Sequence, residues 1–167
     1  MKFFHLRVAL LMALALFAFG CNGKKVAIVN TDMVYQKSTA SEKGTEYIKS
    51  VTSELETELR AMEENMEKAT DKKAAQEEMQ QALTIIQQRF NAEQQQVVNI
   101  LTEAYRTALE NCRTKFNYDI VLSSEMALSH DPAIDITGKV TEEMNALPIE
   151  FKRITPDETP EENSAPQ

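Results

Sequence analysis

The stretch ATDKKAA, residues 69–75, lies near the middle of a 167-residue chain and decides how the rest is laid out. Before it, Ile48, Val51, Leu55, Leu59, Met62, Met66 and Ala69 recur every three or four residues. After it, Met79, Leu83, Ile86, Phe90, Val97, Leu101, Ala104, Ala108 and Cys112 resume the pattern, with Glu93 and Gln94 where it skips a step. Each series is one narrow apolar stripe of the kind that pairs helices in a coiled coil. Thr70-Asp71 is the only cluster of poor helix formers between them, with no Gly or Pro. If the helix ran on, residues 41–116 would form one rod. If it breaks at Thr70, they form an antiparallel hairpin whose first arm, Ser41 to Ala69, extends about 43 Å at about 1.5 Å per residue.

The flanks choose between the two. KVAIVN, residues 25–30, is a short, nearly continuous apolar run rich in β-branched residues, and YDIVLSS, residues 118–124, is another. Two such strands at opposite ends of a rod would leave both edges unpaired. A chain that goes out and returns lets them meet, so the hairpin is expected. Asn30 and Thr31 offer caps for a helical turn with Met33, Val34 and Tyr35. Thr39 with Glu42 forms a weak capping box for the outgoing arm. Asn117 can adopt the left-handed conformation that ends the returning one. Asp131-Pro132 marks a turn before a short helix with Val140, Met144 and Leu147 on one face, stopped by Pro148. Residues 148–167 hold prolines 156, 160 and 166 among many acids and read as a mostly disordered tail. The fold class is α+β, mainly α, with a long hairpin on a small β-strand body. Such a thin body is poorly placed to fold alone, and self-association through it is the economical solution.

The N-terminus carries a different signal. Lys2 and Arg7 precede an uncharged apolar run, Val8 to Phe19, which is too short to span a bilayer and has the form of a secretory signal. Gly20-Cys21 at its end resembles a bacterial lipoprotein signal, which implies cleavage before Cys21 and acylation of that residue. Acyl chains anchor stably when more than one is attached. An ordinary secretory signal with an incidental cysteine is the alternative. Cys112 falls within the helical pattern, where a buried free thiol is the expectation.

Charge excludes some classes. The whole chain has a net charge of −8; without its first 20 residues it keeps all 26 acids, loses 2 basic residues and stands at −10. That balance argues against nucleic acid as a partner. His130 is the only histidine after the signal, in a turn beside Asp131, and no nucleophile–base or metal-ligand cluster is visible. Catalysis, a cofactor and a metal are therefore not expected.

Strand, long helical hairpin, strand and closing helix after a secretory signal resemble the Skp/OmpH family of periplasmic chaperones. The matching stretches are KVAIVNTDMVYQKS, YDIVLSS and DITGKVTEEM, and the resemblance covers residues 25–147. It implies a homotrimer with a shared β-rich body. Three arms would enclose a cavity for unfolded outer-membrane proteins, without ATP. Val26, Ile28, Val29, Ile120 and Leu122 would then lie in the oligomerisation body. On the arms, Met62, Met66, Met79 and Phe90 serve hairpin packing first, and flexible Met side chains could also adapt to varied clients. The family is typically basic, whereas residues 42–116 here hold 14 acids against 10 basic residues. Only the tip is locally positive, at Lys68, Lys72 and Lys73, residues that either face water or touch anionic lipid or client segments. A structural envelope lipoprotein, a helical spacer without unfolded clients, is the second reading. It does not need the two strands.

Overall fold

A computed structural model describes residues 23–154. Strand β1 (Val26–Val29) leads into helix α1 (Thr31–Lys37), and two long helices follow, α2 (Thr39–Lys68) and α3 (Lys72–Lys115). Strand β2 (Ile120–Ser123) comes next, then single 3-10 turns at Ser124–Met126 and Pro132–Ile134, and finally helix α4 (Thr137–Asn145). The signal segment and Cys21 lie outside the described residues.

The chain does break at the central stretch. Helix α2 ends at Lys68, and Asp71 opens α3 by accepting from the backbone N–H groups of Lys73 and Ala74. This is the ordinary use of an aspartate at a helix start, where the first N–H groups lack intrahelical partners. Inside the hairpin Val51, Leu55 and Val97 are buried, and the stripe loosens to half-buried Leu59, Met62 and Met66 toward the tip. Leu83 does not follow the expected stripe: it is 45% exposed, and Ala82 takes the inward place.

The two helices are unequal, with 30 and 44 residues. The surplus of α3 runs back through the base, where Ala104, Ala108 and Cys112 pack against Ala27, Val29, Val34, Ile136, Val140 and Met144. Small residues at those three positions of α3 let α4 approach closely. This is the protomer's core.

The strands meet as the out-and-back course requires, and they pair in parallel, Val26 with Ile120 through Val29 with Ser123. Parallel neighbours need a crossover. Here the crossover is the whole hairpin. The far edge of β1 is closed by Ile136, whose N–H donates to the Ile28 carbonyl at 2.8 Å. Among the described residues β2 has a strand neighbour on one side only.

The return from α3 into β2 is set by three hydrogen bonds. Tyr118 N–H reaches the Arg113 carbonyl at 2.9 Å, Asn117 N–H the Thr114 carbonyl at 3.2 Å, and Phe116 N–H the Cys112 carbonyl at 3.1 Å. The first two are the paired bonds of a Schellman ending, with Asn117 in the left-handed conformation at φ 54° as anticipated.

Two expectations need correction. The cap of α2 is Ser38, not Thr39: Ser38 Oγ accepts from Ser41 N–H at 3.1 Å. Thr39 is instead held by Asn145 Oδ1, which accepts from its N–H at 2.8 Å and lies 3.1 Å from its hydroxyl. The expected tail also starts too early. Residues 149–154 are placed against α2 and α3, and of the expected tail, residues 155–167 lie outside the described residues.

Candidate functional site

Three surfaces are candidates for function: the sheet face, the arm tip and the flank of the arm root.

Side chains alternate across a strand, so a parallel pair presents two faces. Ala27 and Val29 turn toward the protomer core, with Val121 of β2 packed against it. Val26, Ile28, Ile120 and Leu122 share the other face. Ile28 is covered, only 3% exposed, whereas Val26 is 36% and Ile120 44% exposed. Leu122 is half-buried. The five residues expected in the body thus divide: Val29 serves the core and the other four an apolar face. Beyond β2, Met126 is 75% exposed and Leu128 fully exposed. Val26 and Ile120, opposite one another in the register, form an exposed apolar spot, and exposed apolar patches mark interaction sites in soluble proteins.

At the arm tip, Met62, Met66 and Met79 line a groove of about 240 Å³ with Asn65, Ala69, Ala75, Glu78 and Ala82. The alanines leave room that the unbranched thioether side chains fill adaptably. Phe90 does not join this groove; it is half-buried farther down α3. The basic tip is largely spoken for. Lys72 Nζ donates to the Met66 and Glu67 carbonyls at 3.2 and 2.7 Å, closing the end of α2. Lys68 pairs with Glu64 at 3.9 Å, and Lys73 is exposed.

The third surface was not foreseen. Glu93, at the skipped step of the stripe, is only 5% exposed. Its Oε2 lies 2.6 Å from the Tyr47 hydroxyl, and its Oε1 accepts from Ile154 N–H at 3.0 Å. A buried carboxylate needs such partners, and hydrogen bonds to a charged acceptor contribute about 1.5–3 kcal/mol each. The Tyr47 hydroxyl also stands 2.8 Å from the Lys152 carbonyl. Burial, and then the bond to Glu93, pushes the Tyr47 pKa up. Phe151 sits 5.5 Å, centroid to centroid, from the Tyr47 ring, and the Arg153 guanidinium lies over that same ring, 4.8 Å from its centroid. Arg153 also donates to Glu54 at 3.0 Å and to Ser50 at 2.9 Å. The exposed ion pair adds little, and each ring contact about 0.5–1.5 kcal/mol.

Gly44 explains how the segment fits. A Cβ there would come 3.1 Å from Val97 Cγ1 and 3.3 Å from Phe151 Cζ. Glycine costs a helix interior about 1 kcal/mol relative to alanine. The cost is borne where three segments converge.

In the base, Cys112 is the free cysteine among the described residues and is fully buried, as its place in the stripe implied. Desolvation raises its thiol pKa, followed by the field of Glu143. His130 is partly exposed in the turn before Pro132.

These surfaces belong to a protein that carries a two-helix arm on a small α+β base. The chain belongs to the OmpH-like outer membrane protein family, whose model matches residues 25–144. Among solved structures it is similar to a candidate OmpH-like outer membrane chaperone from Caulobacter crescentus, at 18% identity and a TM-score of 0.49. That match covers 81% of this chain and 94% of the other. No curated protein matches the chain.

Proposed function

We propose that this protein is an ATP-independent holdase of the periplasm. In this reading it binds unfolded outer-membrane proteins between helical arms and is tethered to a membrane through a lipidated Cys21. Membership of the OmpH-like family supports a chaperone role. The observation that carries the reading is the split of the sheet into a core face and an exposed apolar face bearing Val26 and Ile120. That second face, with Leu122, supports self-association of bases into a homotrimer, from which several arms project. The α2–α3 arm, about 45 Å long at about 1.5 Å per residue, supports a cavity between copies.

Unfolded barrel proteins expose alternating apolar residues and unpaired strand edges that aggregate. Arms with net negative charge repel one another and keep the cavity open and soluble. Contacts at Met62, Met66 and Met79 are shallow and adaptable, so the client is held by many weak interactions. Without a nucleotide cycle, release follows from the client's more stable folded state in the membrane. Acidity of the arms weighs against anionic lipid as a target for Lys68, Lys72 and Lys73.

The test is dilution of a urea-denatured barrel protein into buffer with the soluble chain lacking Cys21, followed by light scattering and size-exclusion chromatography. Suppressed aggregation with a co-eluting complex is expected. No suppression at several-fold molar excess refutes the holdase and favours the envelope-spacer reading. A native mass measurement of the same sample tests the trimer.

A further inference from the structure

The family model ends at residue 144, and the contacts of Ile149–Ile154 lie beyond it. We infer that this segment is a latch, docked in cis on the arm, which stiffens the arm root and moves the point of flexing outward. Three kinds of contact converge on one short stretch. Phe151 sits against Gly44 and the Tyr47 ring. Ile154 N–H donates to the buried Glu93, and the one hydroxyl proton of Tyr47 is shared between Glu93 and the Lys152 carbonyl, 2.6 and 2.8 Å away. Arg153 reaches Ser50 and Glu54.

The latch therefore holds both helices at once, α2 through Tyr47 and Glu54, α3 through Glu93. From Thr39 to Glu54 is about 22 Å along α2 at about 1.5 Å per residue, half of the arm. At its upper end a ladder of charges closes the clasp. Glu54 receives Arg153 and lies 3.6 Å from Arg89, which pairs with Glu58 at 2.7 Å. Beyond that ladder the hairpin is held by its two stripes, half-buried at Leu59, Met62 and Met66, and by the Lys72 bonds to the end of α2. Local opening follows the density of buried contacts, so motion concentrates in the distal half. The inference concerns the arm's mechanics and stands whether or not the arm holds unfolded clients.

Hydrogen–deuterium exchange on the full mature-length chain tests it, with Phe151→Ala/Arg153→Ala as the perturbation and Phe151→Tyr as the conservative control. The double variant is expected to exchange about tenfold faster at amides 44–55 and 93–101, as loss of these contacts allows local opening. The tip, 60–80, and the base helix, 137–145, stay as they were. Phe151→Tyr retains the ring beside Tyr47 and retains protection. Unchanged exchange at 44–55 and 93–101 in the double variant overturns the latch. So does equal loosening of the base, which would make the segment a general stabiliser instead. A client-suppression assay on the same variants reads the holdase separately, since aggregation suppression can fail while the exchange pattern holds.

Discussion

Substitution of Asn117 probes the turn that brings the returning helix into β2. Asn117 has φ 54° and sits between the two Schellman bonds, Asn117 to Thr114 and Tyr118 to Arg113. The left-handed conformation costs an ordinary L-residue about 1–2 kcal/mol, because Cβ crowds the following carbonyl oxygen. Asparagine visits it readily and glycine has no Cβ. Asn117→Ala should therefore lower stability by about 1 kcal/mol. Asn117→Gly should stay within about 0.5 kcal/mol of the natural chain, its relief of strain offset by the entropy glycine loses on folding. The assay is urea denaturation of the soluble chain followed by far-UV circular dichroism, at one fixed protein concentration because self-association would couple to folding. With a slope of about 2 kcal/mol per M, the alanine variant's midpoint moves down by about 0.5 M. A glycine variant that falls as far as alanine would refute the argument, since the defect would then come from the lost amide and not from backbone strain. Equal midpoints for alanine and asparagine would refute it as well.

Met144→Ala, at a fully buried site in the base core, should cost about 2–5 kcal/mol in thermal or urea melts; a change under about 1 kcal/mol would mean the base repacks freely. Tyr47 has a raised pKa in the folded chain, so its contribution is complete below the unfolded tyrosine value near about 10 and declines as pH rises through the higher folded value. Tyr47→Phe should lower stability at neutral pH and flatten that alkaline decline, leaving the shares from Tyr35, Cys112 and Lys115, whose pKa values are also raised; an unaltered alkaline slope would contradict this. Cys112, buried with a raised thiol pKa, should resist a thiol-reactive dye in the native state and react fully in denaturant. Cys112→Ser should cost about 1–3 kcal/mol, as a hydroxyl replaces the thiol in an apolar core.

Legibility of this protein in its sequence tracks distance along the chain. The hairpin, its turn at Thr70-Asp71, the cap at Asn30, the turn at Asp131-Pro132 and the ending at Asn117 were all readable, because helix periodicity and capping act over three or four residues. The strands were readable as apolar runs, and their meeting followed from the need to pair edges. The Glu93 site left only a faint sign, a missing apolar step in the stripe. Its partners Tyr47 and Ile154 are 46 and 61 residues away, and nothing local links them.

By itself the sequence determined two apolar stripes, a break between them and a strand at each end, since each is a matter of neighbouring residues and backbone preference. Packing decided the rest. Ser38 and Thr39 can both cap a helix; Ser38 takes the role, and Thr39, one place inside, has its N–H bonded to Asn145, 106 residues away. Both faces of the sheet carry apolar residues in the sequence. They became a core face and an exposed face only when α1, α3 and α4 closed over Ala27 and Val29, because burial belongs to the assembled layers and not to any strand alone.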